Sequence, residues 1–110
     1  MERELLEKAK AYLARGNYYL EDGRFEMAYS AYMDALYTVG ALLVYRDTGI
    51  LLPAGELQNV LASRHPRVYD MLRRYGGMTD YSRETISALE KEVMEVLKAI
   101  ERGLGEESSP

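Results

Sequence analysis

The run AYLARGNYYLEDGRFEMAYSAYMDAL, residues 11–36, constrains the fold of this chain more than any other stretch, because it reads as two amphipathic helices joined by a tight turn at Asp22-Gly23. Before the turn, Leu5, Ala9, Tyr12, Leu13, Gly16, Tyr19 and Leu20 recur every three or four residues, the spacing of one face of a helix. After it, Ala28, Ala31, Ala35, Val39 and Leu42 form a second stripe. Small residues at three successive levels let two backbones approach closely, so this stripe is expected to meet the first helix. The bulkier neighbouring stripe of Phe25, Tyr29, Tyr32 and Leu36 then needs a different partner. Asp22 is expected to cap the second helix through its carboxylate, and Gly23 supplies the positive φ of a short connection.

On these residues the hairpin resembles one tetratricopeptide repeat unit, matching that pattern at Tyr12, Gly16, Tyr19, Gly23, Phe25, Ala28, Tyr32 and Ala35. It departs from the pattern at Arg15 and at Gly40, and no second copy follows at a period of about 34 residues. A single unit leaves apolar faces bare, so the other helices must close over it. The resemblance implies ligand contacts from the first helix, at Lys10, Leu13, Asn17 and Leu20. Asn17 matches an asparagine with which such repeats hold an extended peptide backbone. Leu13 stands where a lysine would grip a terminal carboxylate.

The second helix should continue to about Tyr45, and Asp47-Thr48-Gly49 should end it. The apolar connection Ile50-Leu51-Leu52-Pro53 is expected to pack across the end of a bundle. A third helical region runs from about Ala54 to Tyr75, with a fresh start at Pro66, which lacks an amide donor and suits a first helical turn. Its inward face is Leu57, Leu61, Val68, Leu72 and Tyr75. A last helix, capped by Thr79 or Asp80, carries Ile86, Leu89, Val93, Val96, Leu97 and Ile100 on one side. The expected fold is all-α, an antiparallel four-helix bundle with a repeat-like N-terminal hairpin, comprising one domain over residues 1–103 and a disordered tail over 104–110.

Composition removes several activities. With 110 residues and no cysteine, the chain has no disulfide, no thiolate nucleophile and no cysteine-ligated zinc. A single histidine and no glycine-rich phosphate loop leave no metal, cofactor or catalytic constellation to assign. No apolar run reaches the ~18 residues of a membrane span, and MERELLEK is too charged for a secretory signal, so a cytoplasmic, non-enzymatic protein is expected. Thirteen Glu and ten Arg against three amide side chains is a thermophile-like bias.

The helix order, with two long helices first, is similar to the HEPN group of small prokaryotic helical proteins. That resemblance implies a nucleotide- or RNA-binding protein, or the partner of a nucleotidyltransferase. The arginine that stands before the histidine, with four to six residues between them, in catalytic members is missing, since Gln58, Asn59 and Val60 occupy those positions.

Net charge is −4, which argues against a dedicated nucleic-acid binder. Arg64, His65, Arg67 and Arg73 nevertheless lie in a locally basic segment between Arg64 and Arg83. They either form a phosphate-binding patch or pair with glutamates of flanking helices. Ten tyrosines and no tryptophan pose a similar choice. Tyr18, Tyr29 and Tyr37 fall away from the small-residue stripe and are candidates for a surface that grips a protein partner, while core filling is the competing role. The leading expectation is a helical protein interaction module that binds a protein partner, a second copy of itself included.

Overall fold

A computed structural model describes residues 1–107, with side chains described through Gly103. The described chain is all-helical: α1 (Glu2–Glu21), α2 (Phe25–Thr48), α3 (Ala54–Arg64), α4 (Pro66–Gly76) and α5 (Arg83–Glu107). Five helices stand where four rods were expected, because the third region divides at His65 and restarts with Pro66 at the first turn of α4. The backbone of α5 continues to Glu107, past the Gly103 boundary of the expected tail, and residues 108–110 of that tail lie outside the described residues.

The turn between α1 and α2 is made by backbone groups. Gly23 adopts a φ of +76°, and the Arg24 amide donates to the Tyr19 carbonyl at 2.9 Å, closing the last turn of α1. Asp22 does not cap α2 as expected. It is the C-cap of α1, and its carboxylate pairs with Arg24 at 2.7 Å. The start of α5 also differs from expectation, because Ser82 does the capping. Its hydroxyl accepts the Thr85 amide at 3.2 Å, and Asp80 braces the turn by accepting the Ser82 amide at 3.1 Å.

The α2 helix is the hub, touching each of the other four. Ala28, Ala31, Ala35, Val39 and Leu42 are buried along it, as are the expected inward residues of α3, α4 and α5. One contiguous core joins all five helices. Within it α1 and α2 approach closely where Gly16 sits under the ring of Tyr32 and leaves no room for a methyl group. Tyr32 thus faces α1, not the separate partner assigned to its stripe, and its hydroxyl donates to Asn17 Oδ1 at 2.6 Å. A second close approach lies farther along α2. A Cβ on Gly40 would stand 2.9 Å from the Leu61 Cδ1, so the glycine opens the seat for α3.

The connection after α2 does not pack as expected. Gly49, at φ +75°, ends the helix, and Ile50 and Leu51 remain 56% and 49% exposed, while Leu52 packs against the core.

Candidate functional site

The candidate residues fall into three places. At the first, Asn17 and Tyr18 sit near the end of α1. Asn17 is engaged by Tyr32, so its amide oxygen already has an internal donor. Tyr18 is 66% exposed and meets Tyr19 edge-on at 5.8 Å. Beside them an open groove of about 350 Å³ runs between α1 and α2, lined by Arg15 and Tyr19 on one wall and by Glu26, Met27, Ser30 and Asp34 on the other, with Ala31 also lining it. Met27 is 44% exposed. Arg15 lies over the Tyr12 ring at 5.5 Å. Among the described residues, no carboxylate lies within ion-pair distance of Arg15, and none of the groove's three charged side chains has an ionic partner.

The second place is the interior. Tyr29 donates its hydroxyl to the Tyr75 carbonyl at 2.6 Å and packs edge-on against Tyr81 at 5.1 Å. Burial pushes its hydroxyl above the usual tyrosine range. Tyr37 accepts a bond from Gln58 Nε2 at 3.3 Å, tying α2 to α3. Both tyrosines therefore spend their polar ends inside the fold, and of the three candidates Tyr18 alone stands open to solvent.

The third place is the basic segment, of whose four candidates Arg64 and His65 meet at one carboxylate while Arg67 and Arg73 turn elsewhere. His65 Nε2 lies 2.7 Å from Asp47 Oδ2, joining the end of α2 to the α3–α4 junction, and Arg64 reaches the same carboxylate at 4.0 Å. Arg67 pairs with Glu95 of α5 at 3.0 Å. Arg73 lies over the Tyr69 ring at 5.8 Å. Arg74, which was not among the candidates, bridges Asp70 at 2.7 Å and Glu92 at 2.9 Å, and Glu92 also accepts the Tyr75 hydroxyl. That network, led by the Arg74 bonds, holds Glu92 below the usual carboxylate range. Glu95 and Glu92 of α5 thus pair with Arg67 and Arg74 of α4, while Arg73 faces the Tyr69 ring.

Around His65 a polar cleft of about 340 Å³ is lined by Glu2, Leu43, Arg46 and Asp47. Its lining mixes the carboxylates of Glu2 and Asp47 with the cation of Arg46. No group of three or more His, Asp or Glu side chains among the described residues is placed to hold a metal ion. No helix among them is long and apolar enough to cross a membrane.

Comparison with family models, curated proteins and solved structures finds no match to this chain. The case for function therefore rests on the three places just described. Sequence reasoning missed Arg15, Glu26, Met27 and Asp34. The spacing of Glu26, Ser30 and Asp34 at four-residue intervals was the available signal, since it marks one polar strip along α2.

Proposed function

We propose that this protein is a small, non-catalytic helical interaction module, in which the α1–α2 hairpin is backed by α5 and by α3 and α4 acting together as the third rod of a four-rod bundle. The observation that carries this reading is the exposure of Tyr18 and Met27 beside the groove between α1 and α2. Large amphipathic side chains left uncovered at the edge of a concave surface are the material of which interface cores are made. The likeness of the hairpin to a tetratricopeptide unit supports the same reading. Asn17, the residue which that likeness would use for peptide binding, is committed to Tyr32, so recognition falls to the groove beside it.

Immobilised protein and a double variant, Tyr18→Ser with Met27→Ser, are compared for retention of proteins from a native lysate of the source cells and for self-association in solution. Retention or self-association by the native chain, lost in the double variant, is the expected outcome. A native chain that retains nothing and stays monomeric overturns the proposal.

A HEPN-like nucleotide- or RNA-binding protein is the second reading. The gathering of Arg46, Arg64 and His65 around one cleft favours it. Asp47 counts against it, because the carboxylate occupies the position between the cations that a phosphate oxygen would need.

A further inference from the structure

We propose that the groove between α1 and α2 is the contact face of a homodimer, in which Arg15 of each copy inserts between Glu26 and Asp34 of the other. This inference rests on the interaction-module reading and names its partner. The charge layout of the groove carries it. One wall, on α1, presents a single cation, and the opposite wall, on α2, presents two anions. Gly16 lies against Tyr32 and Arg15 lines the same groove as Glu26 and Asp34, so Arg15 falls within the height of the stretch between them. Those two carboxylates sit eight residues apart on one face, about 12 Å along the helix axis.

A two-fold axis running along the groove places the α1 of one copy over the α2 of the other at the same height. Each guanidinium then arrives between two carboxylates that lack ionic partners among the described residues of their own chain. A partner bearing charge of one sign would be repelled by one of the two walls, whereas a second copy satisfies both walls at once. Steric conditions favour the same occupant. Ser30 in the groove is small and exposed, as are Ala11 and Ala14 on the helix that carries Arg15, which allows close approach of another helix pair, and the exposed Met27 and Tyr18 add apolar surface.

Sedimentation velocity over a concentration series tests the assignment with Arg15→Glu, with the pair Glu26→Arg and Asp34→Arg, and with an equimolar mixture of the two variants. The native chain is expected to reach twice its 12.6 kDa mass. Each variant alone should self-associate about tenfold more weakly or worse, since every symmetric contact becomes a like-charge contact. The mixture should regain native-like association as a heterodimer, because each swapped wall then meets its complement. A native chain that stays at 12.6 kDa throughout, a dimer indifferent to both sets of substitutions, or a mixture that fails to recover overturns the inference. A monomer that retains a different protein from lysate does so while sparing the broader reading, and a monomer that retains nothing removes both.

Discussion

Tyr32 and Asn17 are joined by a 2.6 Å hydrogen bond across the α1–α2 contact, with the tyrosine ring lying over Gly16. The pair fixes the depth and register of the hairpin together. The glycine admits the ring, and the asparagine gives the hydroxyl a partner where water is excluded. A buried phenol without that acceptor would cost about 1–3 kcal/mol.

Two substitutions separate the halves of this contact. Gly16→Ala drives a methyl into a ring that is anchored at its far end, so overpacking of about 1–3 kcal/mol should outweigh the gain of about 1 kcal/mol in helix propensity. Tyr32→Phe should cost about 0.5–1.5 kcal/mol at neutral pH. Burial holds the Tyr32 hydroxyl above its ordinary value of 10.0, with Glu90 and Glu21 adding to the effect. A raised folded pKa gives stability that is fully present below pH 10.0 and is lost as the pH climbs further, because the unfolded phenol ionises first. Urea unfolding of both proteins from neutral to alkaline pH should therefore show the gap between them shrinking above about pH 10. A gap that stays constant would place the phenol in a wetter setting.

Leu61 fills the space opened by Gly40 and is fully buried. Leu61→Ala should remove about 2–5 kcal/mol by transfer and cavity terms and loosen α3 from α2. Hydrogen exchange would read the second effect as faster opening of amides in Ala54–Arg64, ahead of those in α5. Equal acceleration everywhere would mean that α3 unfolds only with the whole core.

Glu92 carries the acid dependence. Arg74 and Tyr75 stabilise its ionised form, so its folded pKa lies below the ordinary 4.5. The stability it contributes is present above about pH 4.5 and disappears as the pH falls through the folded value. Glu92→Gln should accordingly be less stable than the native chain at pH 7, with the two converging in strong acid. Thermal unfolding at several pH values checks this. A difference that persists unchanged below pH 3, by about the same margin, would assign the effect to packing.

Phosphate recognition makes a sharp contrast. With Arg67 held by Glu95 and Arg64 and His65 turned to Asp47, fluorescently labelled RNA and ATP should show no saturable binding at low salt. Binding that is abolished by Arg64→Ala with Arg67→Ala would promote the nucleotide reading over the interaction module.

Exposure at Ile50 and Leu51 has a thermodynamic consequence. Replacing both with Ser should shift unfolding by no more than about 0.5 kcal/mol per site, because neither side chain contributes to the core. Chemical denaturation decides the point. A loss of about 2 kcal/mol or more would mean that the connection packs down in solution.

Much of this fold was legible before any coordinates. The inward rows of Leu57, Leu61, Val68, Leu72 and Tyr75, and of Ile86 through Ile100, are buried, and Pro66 opens a new helix. The capping residues are not legible in the sequence, because several oxygen-bearing side chains stand within a few residues of each helix start. The choice among Thr79, Asp80 and Ser82 depends on turn geometry that composition does not encode. The bulk of Tyr32 by itself suggests a wide gap and a partner other than α1. The structure resolves the conflict by pairing the large residue with the smallest one available, Gly16.

By itself the sequence determined that this chain is helical, where its helices turn and which faces lie inward, since periodicity and glycine or proline punctuation act over a few residues. Tertiary structure alone decided which tyrosines are spent inside, which arginines are neutralised by α5, and that Arg15, Glu26 and Asp34 share one groove. A side chain's reach is only a few ångströms, so its partner is set by segments remote in the chain, and local spacing carries no record of them.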